Sequence, residues 1–170
     1  MFAFQCRTCS EFHEGIPSFG WDHPLQFLEV PEPERSRRCL ITSDTCVIDG
    51  EQFFVRGCLE IPVVGEEQPL SWGVWTSLSA KNFEHFEELY CEPHRSHRGP
   101  FFGWLNSHIW LYPDTINLKT MVHLRDGMTR PFVELEPTAH PLAIEQRTGI
   151  TLDRVSAIYE SMVHPPKRAG

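Results

Sequence analysis

The chain has 170 residues, of which 41% are hydrophobic, with five Trp and twelve Phe, so its composition is that of a globular protein with a bulky interior. This length predicts a single domain spanning residues 1–170. The net charge of -8 argues against general binding to nucleic-acid phosphates or anionic membranes. No signal peptide is recognisable after Met1, and no apolar run approaches the roughly 20 residues of a membrane span, which favours a cytoplasmic protein.

The N-terminus carries the sharpest chemical signal, a Cys-x2-Cys motif formed by Cys6 and Cys9 and followed by His13. Two thiolates at this spacing can hold one tetrahedral zinc ion within a turn, because the intervening backbone amides can donate to the sulfurs. A complete site needs two more ligands. Candidates are His13, Cys39, Cys46 and Cys58, and we favour His13 and Cys46.

Two other interpretations of the motif remain open. A redox Cys-x2-Cys would normally lie between a strand and a helix of a thioredoxin-like unit. The two cysteines could also be inert thiols, because a cytoplasmic protein keeps its cysteines reduced.

Residues 1–38 are interpreted as this Cys-x2-Cys knuckle and a wrapping segment. Prolines interrupt the stretch from Gly15 to Arg38 and allow only short helical turns, such as one near Leu25–Leu28. Short strands are predicted at Cys39–Ile41 and Thr45–Ile48.

The stretch from Gln52 to Leu78 is expected to organise the remainder of the chain. Apolar residues alternate in both of its halves, and Gly65 and Pro69 interrupt the pattern between them. The simplest interpretation is a long antiparallel hairpin. Ser79 then caps a predicted helix whose Phe83 and Phe86 would lie on the sheet.

The segment from Cys91 to Gly99 is predicted to be an exposed, mobile polar loop. Its His94 and His97 are spaced for metal chelation, but the neighbouring Arg95 and Arg98 disfavour a cation, and anion binding is a further alternative. We expect Arg56, inside a strand, to matter more for packing or ligand binding than Arg95.

A second hairpin is predicted from the alternation between Ile116 and Leu124 and the strand at Pro131–Leu135. Several polar and aromatic side chains fall on the non-core sides of these strands and of the first hairpin. They could line one concave face for an anionic or aromatic ligand, although helices could equally cover that face. The residues are Arg56, Trp75, Lys119, His123 and Arg125.

The C-terminal part, residues 136–164, is predicted to form a helix pair. Its first helix starts near Pro141 and ends before Gly149, and Thr151 caps the second. This outline is also that of a helix-turn-helix, but Asp153 would oppose the approach of phosphate.

Motifs along nearly the whole chain resemble those of a bacterial family catalogued only as a domain of unknown function. They are Cys6-x2-Cys9, Ser43-Asp44-x-Cys46, Phe53–Gly57, Trp72–Trp75, Leu118–Thr120 and Glu136–Ala143. The resemblance implies a single bacterial domain, and it supplies no activity, substrate or catalytic residues.

The predicted fold is α+β: an antiparallel sheet of about five or six strands within residues 39–135, covered by a few helices, with the zinc-knuckle-like turn at its edge. A binding or interaction module with a structural zinc site leads the functional hypotheses, and its partner would be a small molecule or a protein. The alternative is a metal- or thiol-dependent enzyme, for which no catalytic motif is recognisable. A DNA-binding regulator is the weaker alternative.

Overall fold

The computed structural model describes residues 2–165. Within them the chain forms ten strands and five helices. The strands are β1 (Ala3–Gln5), β2 (Phe12–Glu14), β3 (Ser18–Gly20), β4 (Cys39–Ile41), β5 (Thr45–Ile48), β6 (Gln52–Ile61), β7 (Leu70–Leu78), β8 (Phe101–Leu105), β9 (Lys119–His123) and β10 (Phe132–Leu135). The helices are α1 (Leu25–Glu29), α2 (Glu32–Arg38), α3 (Ala80–Glu88), α4 (Pro141–Thr148) and α5 (Leu152–Val163). The predicted α+β class is confirmed. Among these residues, no helix combines the length and the apolar character needed to cross a membrane.

The central hairpin is confirmed. Strands β6 and β7 pair antiparallel without interruption, from Phe53 opposite Leu78 to Ile61 opposite Leu70. Alternate residues of both strands are buried, among them Leu59 and Val74 with no exposed surface. The alternation works because successive side chains of a strand point to opposite faces.

The hairpin belongs to a closed five-stranded barrel, which the sequence analysis did not predict. Strands β7, β8, β9 and β10 are antiparallel neighbours in that order, and β10 then pairs in parallel with β6. The closing contact places Phe132 opposite Cys58, whose backbone N–H donates to the carbonyl of Pro131. Seven strands therefore lie within residues 39–135, one more than the upper estimate from the sequence.

The remaining strands extend the barrel wall into a sheet of eight strands. Strands β5 and β4 continue from the first half of β6, where the predicted bounds of both are confirmed. Strand β3 pairs in parallel with the first half of β7. The wrapping segment therefore contributes a strand as well as α1 and α2. Strand β9 starts later than predicted, and Asn117 just before it has a left-handed backbone with φ of 62°.

Helices cover the ends of the barrel. Helix α3 begins after Ser79, whose hydroxyl accepts from the backbone N–H of Asn82, and it buries Phe83 and Phe86 against Leu78 and its neighbours. Helices α4 and α5 bury Leu142 and Ile158 in the largest core cluster, which also contains Trp72. The predicted helix pair is thus present, and its apolar stripe faces the core.

The prediction of an exposed, mobile loop at Cys91–Gly99 is wrong for Arg95, which is only 2% exposed. Its guanidinium donates to the backbone carbonyls of Leu89, Tyr90, Arg125 and Thr129. The side chain therefore joins the end of α3 to the turn after β9. The expectation that Arg56 matters more than Arg95 for packing assumed that Arg95 is exposed. Because Arg95 is buried, its removal would take a hydrogen-bond donor away from each of these carbonyls.

Arg95→Ala is therefore expected to lower the free energy of unfolding by about 3 kcal/mol or more, since four buried or part-buried hydrogen bonds from one charged group to backbone carbonyls are lost together. Arg98→Ala, in the same segment but exposed, is the control and should change stability by less than about 0.5 kcal/mol. Denaturant unfolding of both variants checks this. Equal stabilities of the two variants would contradict the structural role of Arg95.

Gly103→Ala tests how tightly the barrel is packed. A Cβ at this position of β8 would lie 2.5 Å from the Thr76 methyl carbon and would overlap the backbone oxygen of Ser77. The change should cost about 3 kcal/mol or more, because neighbouring backbone cannot give way easily. At Gly73, also in a strand, the nearest atom would be 3.4 Å away, so Gly73→Ala should cost less than about 1 kcal/mol. Thermal or denaturant unfolding that ranks the two variants in the opposite order would refute this account.

Candidate metal centre

The Cys-x2-Cys motif forms the tip of a small hairpin made by β1 and β2. These strands pair antiparallel, with Phe4 opposite His13, and form a two-stranded sheet of their own. The turn is closed by backbone hydrogen bonds from Cys6 to Glu11 and from Ser10 to Cys6, each with an N···O distance of 2.9 Å. The sequence forms a turn here because Ser10 adopts a left-handed conformation with φ of 63°. Both cysteines therefore lie on one short, tightly turned segment.

Helix α5 brings a third ligand-type residue to this hairpin. Within residues 2–165, Cys6, Cys9 and His164 form a group that could hold a metal ion, since one ligand atom of each lies within 4.8 Å of the others. Cys6 is buried, and Cys9 and His164 are half-buried. The Nε2 atom of His164 is inaccessible to solvent and has no hydrogen-bond partner among the described residues. A buried imidazole nitrogen without a partner is costly unless something binds it.

His164 reaches the cysteines because it follows the last turn of α5, where its backbone N–H still donates to the carbonyl of Glu160. Glu160 also accepts from the backbone N–H of Arg7, with an N···O distance of 2.7 Å. Tyr159 packs its ring against Phe4 and His13, with centroid distances of 5.3 Å and 4.5 Å. The hairpin is thus docked on one side of α5 by both polar and aromatic contacts.

The two thiols have different acidities. Burial raises the pKa of Cys6, but the hydrogen bonds it accepts from the backbone of Cys9 and Thr8 outweigh burial, so its pKa lies below the ordinary cysteine value. A backbone hydrogen bond from Glu11 lowers the pKa of Cys9. Burial and the neighbouring Cys6 sulfur raise it by more, so the pKa of Cys9 lies above the ordinary cysteine value. Cys6 is therefore the more acidic thiol of the pair, and a bound cation would favour the thiolate form of both cysteines.

His13 lies at the edge of this centre. Its Nε2 is 3.4 Å from the sulfur of Cys9, and its Nδ1 is 3.0 Å from the hydroxyl of Tyr159. It does not belong to the group whose ligand atoms all lie within 4.8 Å of one another. The structure therefore brings His13 beside one cysteine of the motif, as the hairpin register requires.

Cys46 lies elsewhere. It is fully buried in β5, in a cluster with Cys39, Phe54 and Trp75 beneath the wrapping segment. Burial raises the pKa of its thiol to about 12, so it remains protonated at neutral pH. The structure does not bring Cys46 to the N-terminal motif. His164 has that place instead, and sequence reasoning missed it because no local spacing connects it to the cysteines.

The five residues of the expected ligand face are not brought to one open surface. Trp75 has no exposed surface, and its indole N–H donates to the carbonyl of Trp21. Arg56 lies opposite Trp75, with its guanidinium carbon 5.9 Å from the indole centroid and Nη2 3.8 Å from a carboxylate oxygen of Asp22. The wrapping segment covers this pair, because Trp21 and Phe27 pack over Trp75.

The other three residues lie on the outside of the barrel, and each contacts a carboxylate. Lys119 is 3.7 Å from Glu136, His123 is 2.7 Å from Glu134, and Arg125 is 2.8 Å from Glu60. The Lys119 and His123 contacts are exposed and contribute little stability, because water screens them, whereas Arg125 and Glu60 are half-buried. The positive charges of Lys119 and Arg125 are locally balanced by Glu136 and Glu60, which weakens the case for an anionic ligand here.

An exposed apolar surface, which sequence reasoning also missed, lies beside these pairs on strands β8 and β9. Phe102, Trp104 and Met121 are each about two-fifths exposed, at 39%, 41% and 41%, and the two aromatic rings meet edge to face at 5.2 Å. We call these three residues the outer aromatic patch. A cavity of about 180 Å³ adjoins it, lined partly by Lys119 and Glu136. The signal in the sequence was the pair of aromatic residues at alternate positions of β8, on the face away from the core.

Fold and site together define an α+β protein with a barrel core and an N-terminal Cys-x2-Cys hairpin that could hold a metal ion. The chain belongs to DUF2199, described as an uncharacterised protein conserved in bacteria, whose family model matches residues 5–150. The matched range includes Cys6, Cys9 and His13, and His164 lies after it. No curated protein and no solved structure matches the chain.

Cys46→Ser distinguishes a packing role from a ligand role. The substitution places a hydroxyl without a partner in the apolar cluster, so it should lower the free energy of unfolding by about 1–3 kcal/mol. Metal binding by the folded protein should not change, because Cys46 is remote from the N-terminal motif. Denaturant unfolding and elemental analysis measure the two effects, with Cys91→Ser at an exposed position as control. Loss of bound metal from the folded Cys46→Ser protein would restore Cys46 as a ligand.

Proposed function

We propose that the protein is a binding or interaction module in which Cys6, Cys9 and His164 hold a structural zinc ion. The observation that carries the proposal is the convergence of two sulfurs and one ring nitrogen of His164 within 4.8 Å, in a histidine whose Nε2 is buried and has no hydrogen-bond partner among the described residues. Thiolate and imidazole ligands together are typical of zinc sites, and oxygen-preferring cations such as Mg²⁺ and Ca²⁺ disfavour them.

The proposed role of the ion is to fasten the two ends of the fold to each other. Strands β1 and β2 form a separate two-stranded sheet, and such a sheet is marginally stable by itself in water. A metal ion bound to both Cys6 and His164 would join this hairpin to the end of α5. Metal binding and the ordering of both elements would then be thermodynamically coupled.

The outer aromatic patch supports the binding part of the proposal. Exposed aromatic and Met side chains are enriched at surfaces that contact partners. The proposed partner is a protein or a small molecule that contacts Phe102, Trp104 and Met121. The net charge of -8 argues against nucleic acid or an anionic membrane as partner. We further propose that residues 1–170 form one domain and that the protein is cytoplasmic.

A metal-dependent enzyme is the second candidate, and the number of protein ligands favours it. Three ligands leave one position of a tetrahedral zinc site open, as in catalytic zinc sites, where water occupies that position. The two candidates therefore differ in what occupies the fourth position.

Protein purified without a histidine tag or chelator should contain about one zinc ion per chain. Cys9→Ser should lose the ion and destabilise the N-terminal hairpin by a few kcal/mol, while the barrel, which has its own core, stays folded. His164→Ala should have the same effect, because it removes the ligand that α5 contributes. Elemental analysis and thermal unfolding measure both outcomes.

Cys91→Ser, at an exposed position, is the matched control and should keep the ion. Absence of zinc from the unmodified protein, even after reconstitution, would overturn the proposal. Equal zinc contents in the Cys9→Ser and Cys91→Ser variants would overturn it as well.

A further inference from the structure

We propose that His13 is the fourth ligand of this metal centre and that Tyr159 positions it, so that the site is closed by four protein ligands. This inference rests on the proposed zinc site, and it goes further by deciding whether water can reach the ion. Two independent contacts of the His13 ring carry it, one on each nitrogen.

The first contact is the distance between Nε2 of His13 and the sulfur of Cys9, 3.4 Å. In a tetrahedral zinc site with Zn–S about 2.3 Å and Zn–N about 2.0–2.1 Å, a sulfur and a nitrogen ligand are about 3.6 Å apart. His13 and Cys9 therefore already have nearly the separation of two ligands of one ion. The hairpin register holds them there, because β2 carries His13 directly after the turn that contains Cys9.

The second contact is between Nδ1 of His13 and the hydroxyl of Tyr159, 3.0 Å apart. Histidines that bind metals almost always use their other ring nitrogen to donate a hydrogen bond, which fixes the tautomer and the ring orientation. The Tyr159 ring also packs on the imidazole at a centroid distance of 4.5 Å. Tyr159 thus contacts Nδ1 of the ring and leaves Nε2 beside the Cys9 sulfur.

The geometry predicts a change of tautomer when the ion binds. Without metal, Nε2–H of His13 can donate to the Cys9 sulfur, while Nδ1 accepts from the Tyr159 hydroxyl. With metal, Nε2 must present its lone pair, so the ring proton resides on Nδ1 and is donated to the Tyr159 oxygen. No net proton leaves the imidazole in this step, and the metal–nitrogen bond replaces the hydrogen bond to sulfur.

This arrangement bears on function. A closed site with two cysteines and two histidines has no position for an activated water molecule, so it stabilises structure and does not catalyse hydrolysis. His13 on β2 and His164 after α5 would then bind the ion from opposite elements, which strengthens the connection between the hairpin and the helix.

The test uses the full, untagged chain, stripped of metal and titrated with Co²⁺, whose visible spectrum distinguishes four-coordinate tetrahedral sites from sites with more ligands. The unmodified protein should give the intense bands of a tetrahedral site. Tyr159→Phe keeps the ring packing and removes the hydroxyl, and it should weaken Co²⁺ binding by about 10- to 100-fold, the usual effect of losing an outer hydrogen bond. His13→Ala should weaken it further and change the spectrum.

Two matched controls separate these effects from general damage. His123→Ala removes a histidine from the outside of the barrel, and Tyr90→Phe removes a tyrosine hydroxyl that contacts Asp44. Both should bind Co²⁺ with unchanged affinity and spectrum. Nitrogen-15 NMR of the unmodified protein adds a readout that does not depend on folding of any variant: zinc should move the His13 ring proton to Nδ1 and shift the Nε2 resonance to that of a metal-bound nitrogen.

The possible failures are distinguishable. If the unmodified protein binds neither Co²⁺ nor Zn²⁺, the zinc proposal and this inference both fail. If it binds Co²⁺ through sulfur, but His13→Ala behaves like His123→Ala or the His13 Nε2 resonance does not respond to zinc, only this inference fails. That second result would leave an open fourth position and favour the enzyme candidate.

Discussion

The pairing of β6 with β7 is the interaction on which the rest of the structure depends. One edge of each strand pairs with the other strand over nearly its whole length. The opposite edge of each strand pairs with two further strands. On β6 these are β5 and β10, and on β7 they are β3 and β8. One hairpin therefore holds both the closed barrel and the two extensions of the sheet. Its length makes this possible, since a strand of five or six residues could not pair with two neighbours on one edge.

Closure of the barrel imposes a strict steric requirement on its interior. At Gly57 a Cβ would lie 2.6 Å from a methyl group of Val133, and Gly103 is equally confined. Gly57 allows β10 to approach β6 closely, and Gly103 does the same for β8 and β7. The outside of the barrel is less constrained. The wrapping segment covers Trp75 there, whereas Trp104 and Phe102 remain exposed.

The ends of the chain are connected through a different chemistry. The hairpin of β1 and β2 is too small to have a core, and it is attached to α5 by the aromatic contacts of Tyr159 and by the hydrogen bond from the backbone N–H of Arg7 to Glu160. Arg95 has a comparable role at the opposite end, where one buried guanidinium satisfies carbonyls from two segments. In both places, polar groups connect loops or ends that cannot bury enough apolar surface to hold themselves.

Local pattern alone determined the elements whose residues alternate or recur with a clear period. The central hairpin, the caps of α3 and α5 and the Cys-x2-Cys turn were predictable because turn chemistry and strand alternation depend on residues close in sequence. Closure of the barrel, burial of Arg95 and the separation of Cys46 from Cys6 depend on which distant strands become neighbours. His164 shows the difference most clearly: its sequence neighbours predict only a helix end, and the packing of α5 on the N-terminal hairpin places one of its ring nitrogens within 4.8 Å of two sulfurs. Long-range contacts of this kind are decided by the packing of the whole core, because no short-range spacing encodes them.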